Sequence, residues 1–336
     1  MRKPLYIAIL CAASLFISGK AAAQAEVAEQ LGHLIDDALF YSDKYVSPAT
    51  DAAVYQSASG WMTSPKEREL WDVTLSVHVN TFFTPQNDRT FQINNSDFTF
   101  FQLQEGSSAT VPTAIGNDYQ VKLVGVLGED DQIELATPEG VNMEVLAYPY
   151  FQGAVGVGFG TEVILKYSPK VQFRKRDFQV FGAGIKHNVS RYFAGLEEKN
   201  IHIAGLVAYY RENVSSTFLD INTDYGTLGL TRIDGNVNTW QFQVNGSKEF
   251  GKWEVMGGII VNTSDIEYEV GGPRGTIEDI IKVQDVVNTR LKEIYKTQVS
   301  AIGEASLAYH LGRFTVQGIF SFGKFVNGNT SLQYSF

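Results

Sequence analysis

The chain of 336 residues contains one cysteine, Cys11, and none after it. Beyond that position, disulfides, thiolate metal sites and thiol nucleophiles are excluded. After the N-terminal run from Leu5 to Ile17, no uninterrupted apolar stretch approaches twenty residues, so no helix is expected to cross a bilayer. Positive charge is also short: 27 Lys and Arg stand against 37 Asp and Glu, a net charge of −10. An acidic chain of this kind argues against nucleic acid as a partner. His33, His78, His187, His202 and His310 fall in separate elements without metal-ligand spacing. No Gly-x-Ser-x-Gly elbow is present, and nothing marks a Ser, His and Asp set. The expectation is therefore no metal, no cofactor and no catalytic residue. A lipid-modifying enzyme assembled from distant strands is the weakest alternative.

What is present begins with targeting. Arg2 and Lys3 precede the apolar run, and Gly19, Ala21, Ala22, Ala23 and Ala25 follow it. A short basic region, a run too short to span and an Ala-x-Ala ending read as a secretory signal peptide over residues 1–25, cut after Ala23 or Ala25. Leu10 stands before Cys11 where a lipoprotein signal needs a small residue, so Cys11 is expected to leave with the signal. Loss of Arg2, Lys3 and Lys20 leaves 24 basic residues against 37 acidic ones, a net charge of −13.

The fold class is carried by Val299 to Phe336. Val299, Ala301, Gly303, Ala305, Leu307, Tyr309 and Leu311 alternate with Ser300, Glu304, Ser306 and His310. After Gly312, Phe314, Val316, Phe320 and Phe322 alternate with Thr315, Gln317 and Ser321. Leu332, Tyr334 and Phe336 close the series. Antiparallel strands of about ten residues, apolar outward and polar inward, are what a transmembrane barrel requires. The expected fold is all-β: a transmembrane antiparallel β-barrel of 10–14 strands, with a short N-terminal helix and a helix in a C-terminal outer loop. Composition alone fits a soluble β-sandwich equally well. The expected domains are the signal, a periplasmic or plug segment over 26–70, and the barrel over 71–336.

Within that frame, Val27, Leu31, Leu34, Ile35, Ala38 and Leu39 recur at helical spacing between Glu26 and Phe40, giving a helix that plugs the lumen or rests on the rim. The stretch from Tyr45 to Trp61 reads as too broken by Pro and Gly for a regular element. Trp71 to Phe83 is the first clear strand. Residues 84–150 hold β-like pieces and turns that fit loops, a lumenal hairpin or extra wall strands. Ala154 to Lys166 reads as one strand, followed by Phe178–His187, Ile201–Tyr210, Val237–Phe250 and Lys252–Asn262. Phe250-Gly251-Lys252 and Leu311-Gly312-Arg313 are short joints, whereas 211–236 and 263–297 are long. Short joints belong on the periplasmic side and long ones outside. Asn188 to Asn200 strains that scheme. Phe250, Trp253, Tyr309, Phe314, Tyr334 and Phe336 then form an interfacial aromatic girdle. From Thr276 to Tyr295, Ile277, Ile280, Ile281, Val287, Leu291 and Ile294 follow a helical period in the last outer loop.

Strand parity turns Glu162, Lys166, Lys186, Gln241, Gln243, Glu254, Gln298, Glu304 and Gln317 into the lumen. The bland reading is a set of charges paired across a narrow barrel as structural filling. The functional reading is a polar path or head-group site, with Lys166, Lys186 and Arg191 as candidates for an anion such as a carboxylate. A one-residue error in register would reverse every assignment.

Several stretches together resemble a family of functionally uncharacterised outer-membrane barrels from Bacteroidetes. They are Tyr45-Val46-Ser47-Pro48 with Gly60-Trp61, Gly160-Thr161-Glu162 with Lys166-Tyr167-Ser168-Pro169, and Phe181-Gly182-Ala183-Gly184-Ile185-Lys186-His187-Asn188. In layout the chain is also distantly similar to long-chain fatty-acid transporter-type barrels. That resemblance implies a cell outer membrane location and a barrel passing small hydrophobic molecules through a gated lumen. The alternative is a structural or adhesive barrel binding a partner through its outer loops. Expected partners are outer-membrane lipids, the barrel-assembly machinery through Phe336, and a hydrophobic small-molecule ligand.

Overall fold

A computed structural model describes residues 4–128, 131–173, 176–217, 222–223, 226–276 and 282–336, with 4–28, 173, 176, 222 and 223 described by backbone alone. Ten strands form the wall: β1 (Val73–Phe83), β7 (Val145–Gly158), β8 (Thr161–Phe173), β9 (Arg176–Asn188), β10 (Ile201–Thr217), β13 (Arg232–Phe250), β14 (Trp253–Gly271), β15 (Lys296–Leu311), β16 (Phe314–Phe322) and β17 (Val326–Ser335). All neighbours run antiparallel. The sheet closes where β1 pairs with β17 on one side and β7 on the other, Leu75 facing Tyr334 and Gly153. The ten-strand closed barrel is the expected class, at the low end of the expected count.

Closure follows from alternation. On β1, Leu75, Val77 and Val79 are exposed while Thr74, Ser76, His78 and Asn80 are buried. A wall with apolar side chains outside and polar ones inside is a membrane barrel turned to hydrocarbon, not a globular core. The expected aromatics do gather at one end: the Trp253 and Tyr309 rings lie 4.6 Å apart and tilted, Phe314 and Tyr334 4.9 Å apart and tilted, and Tyr334 meets Phe336 edge-on at 4.9 Å. The joints at 158–161, 250–253 and 311–314 lie at this end, the one expected to be periplasmic, although those at 173–176 and 322–326 at the opposite end are as short. The connection after β9 is the exception here, carrying a 3₁₀ turn (Ser190–Tyr192) and the short helix α2 (Ala194–Glu197).

Two readings change. Ala154 to Lys166 is a hairpin rather than one strand: β7 ends at Gly158, and Gly158, Phe159 and Gly160 turn the chain with φ of 88°, 53° and 69°. The turn hides in the sequence because the alternation resumes in phase across it. The N-terminal helix α1 (Pro4–Ala58) runs on through Pro48 and the stretch read as broken. Its small residues Ala52, Ala53 and Ala58 are buried together with Val54 and Tyr55, so the segment packs closely within the lumen.

Residues 84–144 are neither wall nor lumenal hairpin. They form a lobe over the outer end, with β2 (Thr90–Asn94) paired to β4 (Ser108–Pro112), and β5 (Lys122–Leu127) between β3 (Gln102–Leu103) and β6 (Asp131–Ala136). The minimal pair β11 (Asn222–Thr223) and β12 (Gly226–Thr227) and helix α3 (Val283–Leu291) belong to the other outer loops. Helix α3 is the expected loop helix, and it buries Val283, Val287 and Leu291. The expected start of that helix at Ile277, Ile280 and Ile281 lies outside the described residues.

Candidate functional site

The lumen is occupied by the protein's own chain. Residues 30–45 of α1 pack in the outer lobe, and its last turns descend between the walls. There, Asn327 Nδ2 donates to the carbonyl of Tyr55 at 2.9 Å, and Tyr148 Oη donates to that of Gln56 at 3.1 Å. From Ser59 the chain continues as an extended strap, residues 59–70, down to the periplasmic start of β1. An extended strap leaves its backbone groups unpaired within itself, and buried ones must find partners elsewhere.

The inward row supplies them. Lys166 Nζ donates to the carbonyls of Ser57 and Ser59 at 3.0 and 2.6 Å and lies over the Tyr150 ring at 4.4 Å. Glu304 accepts from Gly60 N at 3.3 Å and from Gln243 Nε2 at 3.0 Å, while Gln241 donates to Gln243 at 3.1 Å. Lys186 Nζ pairs with Glu162, and it donates to Thr63 Oγ1 and the Ser64 carbonyl, each at 2.6 Å. Glu162 also holds Arg68 at 2.6 Å, Glu254 accepts from Ser64 Oγ at 2.8 Å, and Gln317 donates to the Met62 carbonyl at 3.1 Å. Arg191 lies in the periplasmic connection, where it pairs with Glu67 at 3.1 Å. Gln298 sits higher on β15, half-buried beside Ser300 at 3.4 Å. Parity is therefore right for the row, but Lys166, Lys186 and Arg191 meet three different parts of the strap and form no common anion site.

Two glycines make the seat possible. Gly60 has φ of +80°, and a Cβ there would stand 2.0 Å from Tyr150 Oη. Gly182 on the wall leaves space for Trp61, whose ring edge would lie 3.0 Å from an added Cβ. Trp61 is fully buried and stacks on Tyr210 at 5.7 Å.

Above this seal lies a cavity of about 570 Å³, between α1, the outer lobe and the outer loops. Leu34, Leu39 and Tyr41 line it from α1, Phe101 and Leu123 from the lobe, and Val287 and Leu291 from α3. Lys122 and Glu134, paired at 3.2 Å and half exposed, mark its mouth. Asp37 fixes the lobe over it: its carboxylate accepts the backbone N–H groups of Thr99, Phe100 and Phe101, each at 2.8 Å. Ile233 borders both this cavity and a smaller one of about 70 Å³ between Ala49, Ala53, Phe82 and Phe178 deeper along α1. Nothing in the sequence marks these residues as a set, since only folding brings helix, lobe and loop together.

A family model described as "Family of unknown function (DUF6588)" matches residues 1–336. No curated protein matches significantly. Among solved structures, the chain is similar to the attachment invasion locus protein Ail of Yersinia pestis, with 8% identity, 80% of this chain and 100% of that one covered, and a TM-score of 0.25. For the outer membrane protease OmpT of Escherichia coli the values are 11%, 83%, 100% and 0.30. For the translocator domain of the autotransporter NalP of Neisseria meningitidis they are 9%, 88%, 98% and 0.32. At these identities and scores they assign neither activity nor ligand.

Proposed function

Since the chain belongs to this family of unknown function, we propose its role from its own geometry: an outer-membrane barrel that takes small hydrophobic molecules into the cavity under its outer lobe and admits them to a gated lumen. The N-terminal segment, with the first turns of α1, is removed as a signal peptide, leaving the rest of α1 and the strap as the gate. The cavity carries this reading. Its volume of about 570 Å³ lies within the range of small-molecule sites, roughly 300–1,000 Å³, and its lining is mostly apolar, with Asp37, Lys122, Glu134 and Glu139 as its charged groups. Ile233 borders both cavities, so a ligand moving inward would pass it alongside α1. Further movement requires the strap to leave the inward row, which makes the row a latch and not a binding site.

The test is native mass spectrometry of the protein extracted from its own outer membrane in mild detergent. A bound hydrophobe near one per chain, lost when Ala38→Trp fills the cavity, is the expected result. An empty cavity that also fails to bind added N-phenyl-1-naphthylamine would overturn the proposal. The filled lumen supports a second reading, a closed barrel whose outer lobe binds a partner, and that empty outcome would favour it.

A further inference from the structure

At the periplasmic end of the lumen, we propose a divalent transition-metal site of the zinc class, held by Glu249, Glu254 and His310 with His202 as a fourth donor. The sequence showed no such site, because its ligands are spread over four strands. Barrel closure assembles them. Glu249 of β13 faces Glu254 of β14 directly, and His310 of β15 comes beside them. One donor atom from each of these three lies within 4.8 Å of the others.

Three observations point to a cation. Carboxylates directly opposite on paired strands repel one another, and here they are brought together at a sheltered position, Glu254 being fully buried. Next, the His310 ring is oriented as a ligand would be. Its Nδ1 lies 2.9 Å from Thr315 Oγ1, which fixes the ring, and its Nε2 faces Glu254 Oε2 at 3.1 Å. Metal-binding imidazoles are held through their other nitrogen in this way. Independently, His202 is more than nine-tenths buried, and neither ring nitrogen has a hydrogen-bond partner among the described residues. Its Nε2 lies 3.9 Å from Glu249 Oε2, turned toward the cluster. A tetrahedral ion with bonds of about 2.1 Å sets its donors about 3.4 Å apart, between the 3.1 and 3.9 Å spacings present. Two carboxylates and two neutral imidazoles balance a dication. A nitrogen-containing set of four suits zinc over calcium or magnesium, which take six or more oxygens.

The present counter-charge is Lys66 on the strap, whose Nζ lies 3.1 Å from Glu249 Oε1 and is more than half exposed. Ser64, two residues earlier, bonds Glu254. A metal ion therefore competes with the ammonium for Glu249 and acts on the periplasmic anchor of the strap.

The experiment uses the full chain purified in detergent, stripped with chelator and titrated with zinc chloride by calorimetry. Cobalt(II) absorption reports the geometry, and heat-modifiable gel mobility confirms a folded barrel. One zinc per chain is expected, with affinity reduced at least a hundredfold in Glu254→Gln/His310→Asn and about tenfold in His202→Ala. Lys66→Gln keeps all four donors and removes the competitor, so it should bind zinc more tightly than the unaltered chain. Absence of zinc binding by both the unaltered and Lys66→Gln chains would overturn the site. So would equal affinity in Glu254→Gln/His310→Asn, or magnesium binding as strong as zinc. If the double variant does not fold, Lys66→Gln decides: tighter zinc binding upholds the site and unchanged affinity refutes it.

Discussion

Asp37 is the point at which the cavity can be opened without touching the barrel. Its side chain is 3% exposed and accepts three consecutive backbone N–H groups of the lobe, from Thr99, Phe100 and Phe101. Asp37→Ala removes every acceptor and leaves three donors facing a methyl group. Hydrogen bonds to a charged acceptor contribute about 1.5–3 kcal/mol each, giving an upper bound of about 5–9 kcal/mol for the three. Water can reach the emptied space from the cavity, so the net loss is about 3 kcal/mol, a factor of roughly a hundred in the local opening equilibrium. The effect should be confined to the lobe, because the ten-strand wall makes no use of this carboxylate.

The assay is amide hydrogen exchange in detergent. In Asp37→Ala, the amides of Thr99 to Phe101 should exchange about a hundredfold faster, while wall amides such as Ile260 keep their protection. Asp37→Asn retains one carbonyl oxygen and should show an intermediate increase, about tenfold. Hydrophobe affinity should fall in the same order. Exchange at Thr99 to Phe101 that changes by less than a few fold would refute the reasoning, as would an equal acceleration throughout the wall.

Other substitutions test the strap and the cavity separately. Gly60→Ala forces a side chain into a left-handed conformation costing about 1–2 kcal/mol, before the clash with Tyr150 is relieved. Its heat-modifiability midpoint should drop, and an unaltered midpoint would mean the strap is not seated as described. Glu162→Gln strands the buried Lys186 and should cost about 3 kcal/mol in detergent unfolding, whereas Lys186→Met leaves Glu162 paired with Arg68 and should cost less. The double variant should cost well under their sum, whereas simple additivity would contradict a direct pair. Ala38→Trp should reduce N-phenyl-1-naphthylamine binding at least tenfold, with no change in gel mobility; retained binding would place the ligand elsewhere.

How far the fold could be read from the chain depends on the distance over which the deciding contacts act. Strand parity is a property of neighbours, and it placed Glu162, Lys166, Gln243 and Glu304 inside correctly. The hairpin at Gly158 to Gly160 escaped because Val155 and Val163 stay in phase on either side of it. The reach of α1 past Pro48 escaped for another reason: rules for helix ends describe helices in water, whereas this one is enclosed by wall and lobe. Most opaque were the partners of the inward row. Lys166 meets Ser57 and Ser59 across more than a hundred residues, and no periodicity records a pairing of that kind.

The strap also changes what a polar lumen implies. Inward lysines and glutamates in an open barrel are free to meet a solute, but Lys166, Lys186 and Glu304 each bond the strap or the end of α1. A solute competing for them must replace short bonds that are already made within one chain, where the effective concentration of the strap is high. An exposed apolar cavity faces no such competition, since only water must leave it. Under the proposed function, selection of ligand would therefore belong to the outer cavity, and permission to pass to the row. The two are joined by α1, which lines the cavity at Leu34 and Leu39 and is continuous through Ser57 with the segment the row holds. A ligand that displaced α1 by a small amount would load directly onto the Lys166 bonds at the helix end. Weakening those bonds, as in Lys166→Gln, should consequently raise hydrophobe flux through reconstituted vesicles while leaving cavity affinity within about twofold. Lower affinity without added flux would show that helix and strap are not mechanically linked.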